Sequence, residues 1–287
     1  MVPLSAVRAV SVSAAGLLLI LGACSPLTVL NAAIPKDGYV AHDGIAYGPE
    51  ARQKLDVYTP VDGTRPASVV VFLYGGSWKR GDRANYRFIA EALTSRGHVT
   101  VIPDYRVYPD VRFPAFVEDS AAAVGWVREH IGAFGGDPDR IFLMGHSAGA
   151  HIAALLTLDE RYLADVDVPG TAVRGMIGLA GPYAFDPLQY RSTRPVFIDT
   201  PDPDRARPIT FVDGQKLPFL LLHGEDDTTV YPANSKELAS RIRAAGGSAR
   251  NLEYANLGHI GIVLALAKPF RGRAPVLEDA SAFIDSH

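Results

Sequence analysis

Residues 140–158 read Arg-Ile-Phe-Leu-Met-Gly-His-Ser-Ala-Gly-Ala-His-Ile-Ala-Ala-Leu-Leu-Thr-Leu, and this stretch decides the fold. It opens with an apolar run of strand length and closes, from Ala150 to Leu158, with the pattern of a buried helix. Between them stands Gly-His-Ser-Ala-Gly at 145–149, whose two glycines permit a turn too sharp for side chains. A serine in a tight strand-to-helix turn is held with its hydroxyl above the sheet, so the stretch predicts Ser147 as a nucleophile.

Strand-like and helix-like segments alternate on both sides of this motif. Apolar runs typical of strands buried on both faces cover residues 67–73, 98–102, 140–144, 174–179 and 218–222, and a last strand is predicted over 251–254. Helices are predicted between them, over residues 86–96, 116–130, 150–158 and 238–245. Strands that alternate with helices pair in parallel, so we predict an α/β fold with a mostly parallel central sheet and helices on both faces.

Two parts of the chain depart from this alternation. Segments 38–46 and 53–58 are predicted to form an antiparallel hairpin at one edge of the sheet. Residues 186–216 are rich in proline, arginine and aspartate and have no clear period. We expect this second stretch to form a loop or short lid over the carboxyl ends of the strands.

The candidate base and acid lie after the serine. A serine hydroxyl is a weak nucleophile until a base takes its proton, and a serine turn of this kind is followed along the chain by an acid and then a histidine. His259 lies in a glycine-bracketed stretch after the last predicted strand and is the candidate base. Three consecutive carboxylates, Glu225, Asp226 and Asp227, are candidates for the acid. Only one of them can orient the imidazole, and the local sequence leaves the choice open.

The remaining histidines are weaker candidates. His146 and His151 flank the serine and are expected to line the site, whereas His223 belongs to the end of a strand. The others are interpreted as surface or packing residues: His42, His98, His130 and His287.

A glycine pair is the candidate for binding the oxyanion of a tetrahedral intermediate. Gly75 and Gly76 directly follow the first buried strand, where a fold with such a serine turn keeps part of its oxyanion hole. Because they lack side chains, their backbone can come close to a substrate. We therefore predict that this loop supplies hydrogen-bond donors.

Together, these features resemble the α/β-hydrolase superfamily, from about Tyr47 onward. Within it, the chain is similar to the hormone-sensitive-lipase-like and feruloyl-esterase-like carboxylesterases and to arylformamidases. Their His-Gly-Gly-x-Trp loop is matched at 74–78 by Tyr-Gly-Gly-Ser-Trp, and their Asp-Tyr-Arg-Leu-x-Pro segment at 104–109 by Asp-Tyr-Arg-Val-Tyr-Pro. Pro114-Ala115 with Asp119 fits Pro-Ala-x-x-x-Asp, and residues 223–230 fit His-Gly-x-x-Asp-x-x-Val. The resemblance implies an α/β-hydrolase fold with a short lid segment.

The resemblance also assigns the roles that the residues alone leave open. It implies Asp227 as the acid, with Asp226 as the fallback. By position, it implies an oxyanion hole made by the backbone N–H groups of Gly76, Ser77 and Ala148.

The same resemblance implies structural residues and two departures. Asp104 and Asp119 are expected to hold loops below the site rather than act in catalysis. Tyr74 stands where relatives have a histidine that braces the glycine loop, and His146 where many have an acidic residue. These departures bear on specificity rather than on the type of reaction.

Composition limits the kinds of partner. The 287 residues are 48% hydrophobic and 21% charged, with a formal net charge of -3 and no block of like charges. This balance lacks the basic footprint of a nucleic-acid-binding protein. Histidines and carboxylates show no metal-ligand spacing beyond what the triad explains, so we expect neither a metal nor another cofactor.

The N-terminus is predicted to be an export signal. An apolar run from Ala9 to Ala23 follows Arg8 and is shorter than the ~20 residues of a membrane span, as in a signal-peptide core. Leu21-Gly22-Ala23-Cys24 resembles the bacterial lipoprotein processing site, with Cys24 as the lipid-bearing residue; an ordinary secretory signal is the alternative.

These observations predict the domain organisation and location. We expect a signal peptide over 1–23, a tether over 24–36 and a catalytic domain over 37–287. Ser25 follows the cysteine where an aspartate would indicate inner-membrane retention. The expected product is an exported, periplasm-facing lipoprotein, in the outer membrane rather than the inner.

The motifs predict a serine hydrolase that cleaves carboxylic esters through an acyl-enzyme. Short-chain or small aryl esters are favoured, because segment 186–216 is short for a lipase lid. An arylformamidase-type amide hydrolase or a serine peptidase would use the same three residues. The alternative from another class is a lipid-anchored binding protein on an inactive hydrolase fold, against which the intact motifs argue.

Overall fold

The computed structural model describes residues 30–32, 34–63, 66–214 and 217–287. Their centre is an eight-stranded sheet with the order β1-β2-β4-β3-β5-β6-β7-β8. The strands are β1 (Tyr39–Ala46), β2 (Lys54–Pro60), β3 (Ala67–Leu73), β4 (Val99–Pro103), β5 (Gly136–His146), β6 (Val173–Leu179), β7 (Phe219–Gly224) and β8 (Ala249–Tyr254). β2 pairs antiparallel with β1 and with β4, and the remaining neighbours pair in parallel. The predicted edge hairpin and mostly parallel sheet are both confirmed.

Helices pack against this sheet in two groups. They are α1 (Arg87–Thr94), α2 (Ala115–His130), α3 (Ala148–Leu158), α4 (Arg161–Ala164), α5 (Arg194–Phe197), α6 (Ala233–Ala244), α7 (His259–Leu264) and α8 (Val276–Ser286). α1 contacts α8, whereas α2 contacts α3 and α4. Strands β3, β4 and β7 are buried at every position, so side chains on both of their faces are covered.

Two C-terminal helices were not anticipated from the sequence. α8 has apolar residues at the helical spacing 276, 277, 280, 283 and 284, all buried, with Glu278 and Asp279 in its first turn. This pattern is readable from the sequence. α7 is different, because glycine and three β-branched residues make His-Ile-Gly-Ile-Val-Leu a poor helix former. His259 therefore begins a helix, whereas we expected it within a loop.

The irregular segment 186–216 forms short turns that are packed into the molecule. It contains α5 and two 3₁₀ turns, Pro203–Ala206 and Pro208–Phe211. Val196, Phe197 and Ala206 are fully buried. The segment therefore packs against the molecule through a few buried side chains and forms a cover through residue 214; residues 215 and 216 lie outside the described residues.

The predicted signal peptide and Cys24 also lie outside the described residues, as does most of the predicted tether. In the part of the chain that the structure describes, no helix is both long enough and apolar enough to cross a membrane.

Candidate active site

Ser147 lies in a strained turn between β5 and α3. Its backbone has φ 55° and ψ -121°, a conformation that non-glycine residues rarely adopt outside functional turns. A Cβ at Gly145 would lie 2.4 Å from the carbonyl carbon of Gly149, and one at Gly149 would lie 2.0 Å from the carbonyl oxygen of Leu73. Both motif glycines are therefore required by close backbone contact, as the sequence indicates.

The structure brings His259 to the serine from the opposite end of the chain. Nε2 of His259 lies 2.9 Å from Oγ of Ser147, which is hydrogen-bond distance. The side chain of His259 is 11% exposed, so it borders the solvent. A base in this position can take the serine proton and later deliver it to a leaving group at the surface.

Asp227 completes the chain of contacts, and the two neighbouring carboxylates do not. Its Oδ2 lies 2.8 Å from Nδ1 of His259, and the residue is only 2% exposed. Glu225 and Asp226 are exposed to solvent. Burial alone would raise the pKa of Asp227, but hydrogen bonds from His223, His259 and the Val230 amide outweigh it and hold the pKa well below its usual range. Asp227 is thus a carboxylate that can orient the imidazole.

The glycine loop lies directly against the serine. A Cβ at Gly75 would lie 3.0 Å from Cβ of Ser147. The next three residues all have positive φ, at 141° for Gly76, 55° for Ser77 and 58° for Trp78. Among the described residues, the amides of Gly76, Ser77 and Ala148 donate to no acceptor, so these predicted oxyanion donors are available to a ligand.

Tyr74, which stands where the resemblance implies a histidine, anchors the glycine loop from below. Its buried ring is stacked between Tyr86 and Tyr105, with centroid distances of 5.4 and 4.7 Å. Its hydroxyl donates to Oδ1 of Asp104 at 2.6 Å and accepts from Nη2 of Arg52 at 3.0 Å. Burial raises its pKa well above the usual value, so the hydroxyl keeps its proton. Tyrosine therefore fixes the loop through a carboxylate.

Asp104 and Asp119 hold backbone segments beneath the site. Oδ1 of Asp104 accepts from the Arg83 amide at 2.9 Å, and Arg83 also pairs with Asp104 through its guanidinium. Asp119 accepts from Nε2 of Gln53 at 2.7 Å and from the Arg106 amide at 2.8 Å. These contacts suit the structural role that the resemblance implies.

The two histidines beside the serine have different surroundings. Nε2 of His146 donates to the backbone carbonyl of His259 at 2.9 Å, and the two rings are 4.9 Å apart. Burial, with a smaller effect of His259, lowers the pKa of His146 to about 3. His151 donates to the carbonyl of Ala206 in the cover, and burial lowers its pKa to about 4. Both imidazoles are therefore neutral, and His146 holds the backbone that carries the base.

An aromatic cluster adjoins the glycine loop. Trp78 stacks on Phe185 at 5.8 Å with nearly parallel rings, and its edge meets Phe197 at 5.0 Å. Phe185 also contacts Tyr190, which is 50% exposed. Tyr183, in contrast, is fully buried. In this cluster, Tyr190 is exposed and Phe185 is partly buried.

Sequence reasoning missed His223, which touches the acid. It is fully buried at the end of β7, and its Nε2 lies 3.2 Å from Oδ2 of Asp227. The spacing His-x-x-x-Asp directly after a strand could have indicated this contact. The pairs of Arg52 and Arg83 with Asp104 were also not anticipated, because they join residues far apart in sequence. Within the described residues, no group of three histidine, cysteine or acidic side chains is arranged to hold a metal ion.

The comparison with known families is decisive for membership. The sequence profile of the BD-FAE family matches residues 55–242, which include the serine turn, the glycine loop and Asp227. This match covers more than half of the chain. The chain belongs to the BD-FAE family. His259 lies beyond the matched residues of this BD-FAE protein, so its assignment depends on the geometry given above.

Several curated proteins are similar to this BD-FAE chain. It is 31% identical over 264 residues to the probable isoprenylcysteine alpha-carbonyl methylesterase ICME of Oryza sativa subsp. japonica, covering 84% of this chain and 63% of that protein. It is 33% identical over 244 residues to esterase LipC of Mycobacterium tuberculosis, covering 77% and 60%. The chain thus spans less than two thirds of the length of these relatives.

Solved structures agree on the fold of the BD-FAE chain. Esterase B from Lactobacillus rhamnosis superimposes with a TM-score of 0.80 at 19% identity, covering 95% of this chain and 93% of that one. A truncated carbohydrate esterase from gut microbiota gives 0.73 at 20% identity, covering 88% and 98%. The predicted α/β-hydrolase fold is confirmed.

Proposed function

We propose that this BD-FAE protein is a serine hydrolase that cleaves carboxylic esters through an acyl-enzyme. The observation that carries the proposal is the continuous chain of contacts Ser147–His259–Asp227, at 2.9 and 2.8 Å, beside three unpaired backbone amides. The names of the curated relatives, a methylesterase and an esterase, support the same chemistry.

The proposed reaction has two stages, acylation of Ser147 and hydrolysis of the acyl-enzyme. Oγ of Ser147 attacks the ester carbonyl carbon while Nε2 of His259 takes the hydroxyl proton. The amides of Gly76, Ser77 and Ala148 hold the oxyanion that forms. When the C–O bond breaks, His259 gives its proton to the leaving alcohol and the acyl group stays on Ser147. Water then repeats the cycle, and the carboxylic acid and the free serine are released.

A fluorophosphonate probe tests the nucleophile directly. This reagent phosphorylates an activated serine, so the parent protein should be labelled at Ser147 and should hydrolyse p-nitrophenyl esters. A non-catalytic binding protein on this fold would show neither reaction. Including N-formylkynurenine as a substrate separates ester hydrolysis from the arylformamidase alternative.

Short acyl chains are expected to be the better substrates. The cover over residues 186–214 is brief, and its Phe197 is buried against Trp78. We expect kcat/KM for p-nitrophenyl acetate or butyrate to exceed that for the palmitate ester by roughly tenfold or more. A series of p-nitrophenyl esters with acyl chains from acetate to palmitate measures this preference. Faster turnover of long-chain emulsions would contradict it.

We also propose that the enzyme is an exported lipoprotein carrying lipid on Cys24. The motif Leu21-Gly22-Ala23-Cys24 and the short apolar run before it support this location. One acyl chain gives only marginal membrane binding, about 10⁴ M⁻¹, whereas several chains on one cysteine would hold the protein firmly. The membrane as a partner and the periplasm-facing position follow from this anchor.

Replacing Cys24 tests the location independently of the chemistry. Cys24→Ala should abolish metabolic labelling with a radiolabelled fatty acid and leave either uncleaved precursor or soluble protein. The matched control is Ser25→Ala, which should remain labelled and need detergent for extraction. A parent protein that extracts without detergent and whose mature N-terminus is not Cys24 would rule out the anchor and leave the esterase proposal intact.

A further inference from the structure

His223 is a buried polar residue that the reaction scheme does not use. It lies at the end of β7, four residues before Asp227, and is fully buried. Each ring nitrogen has a close partner: Nδ1 lies 2.7 Å from Oγ of Ser235 on α6, and Nε2 lies 2.8 Å from the carbonyl oxygen of Val230. Nε2 is also 3.2 Å from Oδ2 of Asp227.

These partners determine which nitrogen carries the proton. The carbonyl oxygen of Val230 and the carboxylate of Asp227 can only accept hydrogen bonds, so the Nε2 that faces both of them must be the donor. The hydroxyl of Ser235 can donate, so it satisfies an unprotonated Nδ1. A neutral His223 with its proton on Nε2 therefore satisfies every contact of the ring.

The same ring nitrogen lies beside the Asp227 carboxylate. Oδ1 accepts from the amides of Thr229 and Val230, at 2.8 and 2.9 Å. Oδ2 accepts from His259 at 2.8 Å and faces His223 at 3.2 Å. Oδ1 thus has two amide donors, and Oδ2 has one donor, His259, with Nε2 of His223 as a close neighbour. Rotation about the Cβ–Cγ bond would break contacts on both sides.

Val230 links the two halves of this arrangement. Its amide donates to Oδ1 of Asp227, and its carbonyl accepts from Nε2 of His223. The imidazole of His223 therefore holds the loop between β7 and α6 around the Asp227 carboxylate.

We propose that His223 is a positioning residue of the hydrolase, which fixes the plane of Asp227 by donating its Nε2–H to the Val230 carbonyl while its ring lies against Oδ2 of Asp227. The contacts then form a series of four side chains, Ser147, His259, Asp227 and His223, with Ser235 satisfying the far nitrogen. The inference rests on the proposed function, because Asp227 matters only if it orients a catalytic imidazole. On this proposal, His223 does more than pack in the core.

Two amide substitutions separate positioning from packing. In His223→Gln, the side-chain amide reaches the place of Nε2 and can still donate to the Val230 carbonyl beside Asp227, but it loses the contact with Ser235. In His223→Asn, the amide reaches only the place of Nδ1, so it keeps the contact with Ser235 and loses those with Val230 and Asp227. Loss of the donor beside the buried carboxylate corresponds to roughly 10- to 100-fold in kcat.

We expect His223→Asn to lose roughly this factor in kcat with little change in KM, and His223→Gln to recover most of it. The matched controls are His98→Gln and His98→Asn, since His98 is a buried histidine at the amino end of β4 with Nε2 4.0 Å from Asp285. Neither control should change kcat, and melting temperatures report any loss of folding in all four variants.

Equal loss of kcat in His223→Gln and His223→Asn, or parent-like kcat in both, would overturn the inference. A second readout does not depend on turnover or on the variants. In protein labelled with ¹⁵N-histidine, the imidazole shifts of His223 should show a protonated Nε2 and an unprotonated Nδ1, and an unprotonated Nε2 would refute the proposed donor. Failure of the proposed function would instead appear as an unlabelled, inactive parent protein.

Discussion

Replacing Ser147 with alanine is expected to leave a folded protein whose ester hydrolysis is ~10⁴- to 10⁶-fold slower in kcat. The reason is geometric, because no other described side chain presents a hydroxyl to Nε2 of His259. Alanine keeps the Cβ of serine, so the turn at φ 55° carries the same strain and the fold should persist. Initial rates on p-nitrophenyl butyrate and fluorophosphonate labelling measure the loss.

The control for this substitution is Ser192→Ala, a change of the same kind at an exposed position of the cover. It should leave the rate within about twofold of the parent. Circular dichroism and melting temperature should be the same for all three proteins. If Ser147→Ala retained more than about a tenth of the parent rate, the assignment of the nucleophile would be wrong.

The second large effect is expected at Asp227 and not at its neighbour. Asp227→Asn should lower kcat by about 10⁴-fold, because an amide cannot hold His259 in the tautomer that leaves Nε2 free to take a proton. It would also place an amide before three donors that each need an acceptor. Asp226 is exposed, so Asp226→Asn should stay within about twofold of the parent.

Asp227→Asn and Asp226→Asn can be compared directly, since each removes one negative charge and the two positions are adjacent. Rates on the same substrate, with the melting temperature of each variant, measure the difference. A larger loss in Asp226→Asn would move the acid by one residue and would separate His223 from it. Equal, small losses would mean that His259 needs no carboxylate partner.

Much of the site is encoded locally and could therefore be predicted. The strand, turn and helix around Ser147 follow from adjacent residues, and so does the glycine loop after β3. The alternation of apolar runs and helical periods similarly predicts the parallel sheet. In each case the physical cause, a tight turn or a fully buried strand, acts within a few residues.

The remaining features depend on contacts that a local pattern does not contain. Three adjacent carboxylates were distinguished only by the family resemblance, and the path of the chain after β7 is what buries Asp227 and exposes Asp226. The helix that begins at His259 has weak intrinsic propensity and is held by tertiary packing of Ile262 and Val263. The anchoring of Tyr74 by Asp104 and Arg52 joins three distant segments.

The strained backbone beside the nucleophile implies a compromise between robustness and catalysis. Ser77, Trp78 and Ser147 are all held at positive φ, and conformations of this kind cost on the order of 1–3 kcal/mol each. The free energy of unfolding of a protein is only about 5–15 kcal/mol, so contacts elsewhere in the molecule must offset the backbone strain of these three residues. Thermostabilising substitutions in this protein should therefore be sought in the sheet and its helices. Substitutions that relax these turns should raise the free energy of unfolding and lower the rate of ester hydrolysis.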